Sequence, residues 1–103
     1  PAVATLSGGN QQRVVLARWM EIAPRLLILN GPTVGVDVGS KREIHELLVS
    51  LSRSGTAVMV VTDDIAEAIA LSDRILVSRQ GKVVEEYSAL EATEEKIMYA
   101  AIH

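Results

Sequence analysis

Two short, uninterrupted apolar runs, Leu26 to Leu29 and Ala57 to Val61, lie on either side of a stretch with helical spacing. Within that stretch Ile44, Leu47, Leu48 and Leu51 fall at i, i+3, i+4 and i+7, one stripe of an α-helix, and Gly55 is placed to end it. An apolar run without alternation fits a strand covered on both faces, and such strands belong to parallel sheets. Strand, helix and strand in this order predict parallel pairing through a right-handed crossover. The fold class is therefore α/β.

The flanking segments extend the pattern. Val15, Leu16, Trp19 and Met20 predict a helix from about Gly9 to Ile22, stopped near Ala23-Pro24. Trp19 reads as core packing. Asp64 and Glu67 have capping-box spacing for a short helix through about Leu71. Ile75 to Val77 and Lys82 to Glu86 flank Arg79-Gln80-Gly81, which predicts a hairpin with Gly81 at its tight position. Ser88 and Glu91 have the same capping-box spacing. They predict a final amphipathic helix with Leu90, Ile97, Met98, Ala101 and Ile102 on its apolar side.

Composition removes several classes of function. At 103 residues the chain makes one domain at most, spanning 1–103. With no Phe, one Trp and two Tyr, a core must be built from aliphatic residues and Met. A formal net charge of -3 argues against nucleic-acid binding through a basic surface. The absence of cysteine removes disulfides and thiolate metal sites. No apolar run reaches the ~18 residues that suggest a membrane-spanning helix. His45 and His103 have no spaced partner and are assigned no metal, and no Ser–His–Asp arrangement has a usable spacing. The chain opens on Pro1-Ala2-Val3 with no initiator Met and no signal-peptide pattern, and it reads as the carboxyl-terminal part of something longer.

The first helix carries the clearest candidate site. In Leu6-Ser7-Gly8-Gly9-Asn10-Gln11-Gln12, Ser7 is placed to cap the helix, and Gly8 and Gly9 let backbone come close to a ligand. Free N–H groups at the positive end of a helix suit a phosphate. This stretch resembles the signature motif of ATP-binding-cassette (ABC) ATPases, in the form typical of the second cassette of bacterial simple-sugar importers of the ribose, galactose and xylose type. Leu26 to Asp37 (LLILNGPTVGVD) resembles the Walker B strand and D-loop, usually LLILDEPTRGVD in that group. Val60 to Asp64 stands in the place of the switch-histidine loop, and Leu71 to Ile75 resembles the segment after it.

The resemblance covers essentially the whole chain. It implies the fold of a P-loop NTPase-like cassette fragment running from signature to carboxyl terminus, with parallel strands and helices followed by a hairpin and helix. It further implies that Ser7, Gly8, Gly9 and Gln11 contact the γ-phosphate of ATP held by an opposite cassette. Asp37 is implied to lie at the cassette dimer interface; alternatively it merely leads into the next helix.

Three departures bear on catalysis. Asn30 stands where the family has an aspartate supporting Mg²⁺, and its amide offers an oxygen without charge. Gly31 stands where the family has the glutamate that orients or deprotonates the attacking water, and glycine can do neither. Asp63 occupies the switch-histidine position, where an aspartate would repel phosphate; alternatively Asp63 and Asp64 simply start the following helix. No G-x-x-x-x-G-K-[ST] loop is present, since Gly81-Lys82 has Leu76 and Val83 at the other key places. The family site takes ATP and Mg²⁺, but neither is expected to bind tightly to this chain alone, and the chain alone is expected to be inactive. Without a strand beside them, the apolar strands would expose edges and faces, so self-association is expected.

The leading expectation is thus a partial ATP-binding subunit of a carbohydrate-importing ABC transporter, with a degenerate Walker B half-site. By resemblance its partners are a second cassette, membrane permease subunits and a sugar-binding protein. Its location would be cytoplasmic, peripheral to the inner or plasma membrane through the permease. A rival expectation is a non-catalytic regulatory or dimerisation module from a decayed cassette, which Asn30, Gly31 and Asp63 favour. A soluble ribosome-acting or repair ATPase is a third, weakened by the signature variant and by the closing ATEEKIMYAAIH, which also resembles the importer tail.

Overall fold

The computed structural model describes the backbone of residues 8–103 and the side chains of residues 14–103. These residues fall into two compact units, one ending at Val61 and the other spanning Thr62–His103.

The first unit holds helix α1 (Gly8–Ile22), strand β1 (Leu26–Asn30), helix α2 (Val38–Arg53) and strand β2 (Ala57–Val61). Helix α1 stops where expected. Ala23 turns to φ 52 and donates its N–H to the Trp19 carbonyl at 2.8 Å, and Pro24 follows. Strands β1 and β2 pair in parallel, Leu26 opposite Ala57 through Asn30 opposite Val61. Helix α2 makes the crossover and packs on α1 and β2. Its apolar stripe is buried at Ile44, Leu48 and Leu51, and Leu16 of α1 and Leu27 of β1 are buried in the same unit. Gly55, at φ 105, ends α2 as its placement predicted, with Thr56 N–H returning to the Leu51 carbonyl at 3.1 Å. Thr56 is itself buried, and its hydroxyl donates to the Pro24 carbonyl at 2.8 Å, tying the starts of the two strands together.

Only one face of this pair is covered. Leu27 is buried and Leu29 half-buried, whereas Leu26, Ile28, Met59 and Val61 on the alternate face are exposed by 57%, 59%, 47% and 47%. The exposed apolar face expected of these strands is therefore present.

The second unit holds helix α3 (Ile65–Leu71), strands β3 (Arg74–Arg79) and β4 (Lys82–Ser88), and helix α4 (Glu94–Ile102). Asp64 caps α3 by accepting from the Glu67 N–H at 3.0 Å. Strands β3 and β4 form an antiparallel hairpin in which Arg79 faces Lys82. Gln80 at φ 52 and Gly81 at φ 79 make the two-residue turn, both left-handed as a type I′ turn requires. The register shifts between Val77 and Ser78, where Val84 is the extra residue on β4, the bulged strand. Ile75, Val77, Ile97 and Ala100 form the core, with Ile65, Ala68, Ile69, Val84, Tyr87 and Ala92 packed around it.

The last helix starts later than the sequence predicts. Ser88 is the last residue of β4, paired with Arg74, and its carbonyl accepts from the N–H groups of Glu91 and Ala92 at 3.1 Å each. A residue held in a strand and a turn is not free to cap. Thr93 takes that role, accepting from the Lys96 N–H at 3.1 Å, with Glu94 and Glu95 favouring the positive end of α4. Leu90 lies outside the helix and is fully exposed, and Met98 and Ile102 also face solvent. The buried side is Ile97 and Ala100.

Candidate functional site

In an open α/β sheet, ligands are met at the carboxyl ends of parallel strands. In the first unit those ends are Asn30 and Val61, opposite each other in the register. Asn30 is exposed, on the same face as Leu26 and Ile28 by strand alternation. Gly31 prolongs the pairing by one rung, donating its N–H to the Val61 carbonyl at 2.8 Å. It then turns the chain away at φ 59, and its carbonyl accepts from the Val34 N–H at 3.2 Å. The result is a tight loop over residues 31–37 leading into α2.

Asp37 closes that loop as the N-cap of α2. One carboxylate oxygen accepts from the Ser40 N–H at 2.8 Å and the other from the Ser40 hydroxyl at 3.2 Å. The Ser40 backbone N–H is the main reason the carboxyl titrates below its ordinary range; modest desolvation opposes this, and the Ser40 hydroxyl reinforces it. The plainer of the two readings of Asp37, as the start of a helix, is thus realised in its hydrogen bonds. A role at an interface is compatible with this, because a capping carboxylate holds the loop in shape.

The other sequence-predicted positions are distributed as follows. Gly8, Gly9 and Gln11 fall in the first turn of α1, which begins at Gly8. Ser7 lies outside the described residues. Asp63 belongs to the second unit, exposed in the turn between β2 and α3. Asn30 thus ends β1 and Gly31 and Asp37 open and close the loop after it, while Asp63 belongs to the other unit.

Sequence reasoning missed the environment of Glu67. This carboxylate is buried, 4% exposed, and its Oε1 accepts the Thr62 hydroxyl at 2.8 Å. The Thr62 hydroxyl oxygen in turn accepts from the Asp64 N–H at 3.0 Å. Thr62, Asp64 and Glu67 together fix the turn that presents Asp63. The pattern Thr-x-Asp-x-x-Glu was the available signal, because a hydroxyl two residues before an N-cap is in reach of the third helical residue.

As a magnesium and water-activating site the loop after β1 does not fit. Asn30 brings no charge to a hard cation and Gly31 brings no side chain at all. Among the described residues no cluster of His, Cys, Asp or Glu could hold a metal ion. No helix among them is long and apolar enough to cross a membrane.

Comparison with known proteins gives these features a context. No protein-family profile matches the chain. It is 50% identical over 99 residues to the ribose import ATP-binding protein of Rhodococcus jostii, covering 96% of this chain and 20% of that protein. It is 51% identical over 100 residues to a ribose import ATP-binding protein of Streptomyces avermitilis, covering 97% of this chain and 20% of that protein. The chain thus spans about a fifth of the length of these relatives. Among solved structures, the ATP-binding subunit of an ABC transporter superposes with a TM-score of 0.79 at 18% identity, covering 98% of this chain and 46% of that one.

Proposed function

We infer that this chain, homologous to ribose import ATP-binding proteins and folded as part of an ABC ATP-binding cassette, contributes one wall of a shared ATP site in a carbohydrate importer. The observation that carries this reading is identity of about one residue in two, sustained over 96% of the chain, which embraces the signature, the Walker-B-like strand and the D-loop. By resemblance Ser7, Gly8, Gly9 and Gln11 supply the wall; α1 begins at Gly8, and the positive end of a helix suits the terminal phosphate of ATP bound by another cassette. Asp37 shapes the interface loop by capping α2. Permease subunits and a sugar-binding protein complete the assembly, and the chain sits on the cytoplasmic side of the membrane through the permease.

Within that assembly the half-site behind β1 binds and signals but does not hydrolyse. The resemblance places Asn30 and Gly31 at the two positions that would support the metal ion and activate the water. Asn30 lacks the charge that the first task needs, and Gly31 has no side chain to perform the second. The chain by itself holds neither ATP nor Mg²⁺ tightly, and its open sheet face favours association with further copies. The rival reading, a non-catalytic regulatory or dimerisation module, draws on the same two residues and on Asp63.

Reconstitution separates the two. The intact protein, with its permease subunits in vesicles, is expected to drive ATP-dependent uptake of a simple sugar, and Ser7→Arg is expected to abolish it. Full ATP turnover without any sugar uptake would overturn the importer reading. Asn30→Asp is expected to strengthen Mg²⁺ dependence at this half-site by about tenfold, the scale of one charge-assisted contact.

A further inference from the structure

We propose that the turn after β1 is built on glycine, so that a water-activating carboxylate at position 31 is disfavoured by the backbone as well as absent from the sequence. The proposal rests on the reading of β1 as a Walker-B-like strand. Its evidence lies in the turn alone. Gly31 has φ 59, in the left-handed region that disfavours residues with a Cβ. A Cβ placed there would stand 2.9 Å from Cγ2 of Val34, closer than such atoms normally approach.

These obstacles differ in kind. Val34 is 78% exposed, so its side chain has room to swing away and relieve the crowding. The backbone angle is harder to change. Gly31 N–H is tied to the Val61 carbonyl at 2.8 Å and its carbonyl to the Val34 N–H at 3.2 Å. Rotating residue 31 into the β region would break the last rung of the parallel pairing, the turn that follows, or both. Since that turn leads to the Asp37 cap, the disturbance travels toward the D-loop.

Asn30 carries no such constraint. It lies on a regular strand, exposed, in register with Val61. The two departures are therefore unequal. A charge is restored at position 30 without moving backbone, whereas any side chain at position 31 must bear a left-handed backbone, as Ala23 and Gln80 do at φ 52, and must also crowd Val34.

Thermal unfolding of the intact protein tests this through variants Asn30→Asp, Gly31→Asn, Gly31→Ala and Gly31→Glu. Asn30→Asp is expected to melt within about 1 °C of the parent. Gly31→Ala and Gly31→Glu are expected to melt roughly 2–4 °C lower, the shift that a Cβ in a left-handed position gives in a domain of cassette size. Gly31→Asn should fall less than either, because asparagine is the best tolerated non-glycine residue in that region. Adding Val34→Ala should recover only part of the loss. If Gly31→Ala melts like the parent, the turn has no need of glycine and the proposal fails. A loss confined to Gly31→Glu also overturns it, since charge would then be the cause. The melting order does not depend on transport, so missing sugar uptake with the order intact overturns the functional reading and leaves this one standing.

Discussion

The parallel pair β1–β2 and the antiparallel hairpin β3–β4 are both two-stranded, yet they meet water in different ways. In the hairpin, Ile75 and Val77 point to a core closed by α3 and α4, and the outward row mixes Leu76 with Arg74, Ser78 and Glu86. Arg74 and Glu86 pair across that row at 2.6 Å, both well exposed. Such a face is content in solvent. In the parallel pair, the outward row is Leu26, Ile28, Met59 and Val61, with Asn30 as its polar member. Parallel strands are normally covered on both faces, and this pair is covered on one. The comparison teaches that the hairpin's outward face carries charge among its apolar residues, while the outward face of the parallel pair is apolar but for Asn30.

The contrast breaks most visibly in the interior. Leu51→Ala, at a fully buried site, is expected to cost about 2–5 kcal/mol in denaturant unfolding, whereas Ile28→Ala on the open face should cost less than about 1 kcal/mol. Equal losses at the two sites would mean that the face is already covered. The next effect is on association. At high concentration the 103-residue chain is expected to scatter light as an oligomer, and Ile28→Lys should return it toward monomer with little change in melting, while Leu76→Lys on the hairpin should not. A parent chain that stays monomeric would remove the distinction between the faces.

The smallest effect is at the exposed Asp37 cap of α2. Its folded carboxyl titrates below the ordinary ~3.9 of aspartate, so its contribution is full above that value and fades as pH falls through the lower folded value. Asp37→Asn should flatten the acid limb of a stability-against-pH curve while keeping α2 capped. An unchanged limb would show that the cap carries no charge effect.

Much of this was legible in the sequence because local and global signals agreed. The stripe of Ile44, Leu48 and Leu51 and the terminator Gly55 predicted α2, and Arg79-Gln80-Gly81 predicted the hairpin turn. Ser88 and Glu91 misled because the capping-box spacing is silent on whether its first residue is already engaged in a strand. For Glu67 the Thr-x-Asp-x-x-Glu pattern signals its hydrogen-bond partners but not its burial, since spacing names a cap and not the depth at which it sits. At the candidate site, the side chains that departed from the family pattern were plain to read. The left-handed backbone of Gly31 was not, because any residue pattern ending a strand is compatible with several turns.

The alternation of β1 has one more consequence. Asn30 shares its face with Leu26 and Ile28, so whatever seals the oily part of that face also closes over a carboxamide at its rim. A cover that is apolar throughout would strand that amide at a cost of roughly 1–3 kcal/mol, so a fitting cover must present a hydrogen-bonding group at one end. Asn30 thereby sets the orientation of the mating surface: sliding the cover by two residues along the strand would put grease against the amide and a polar group against Ile28.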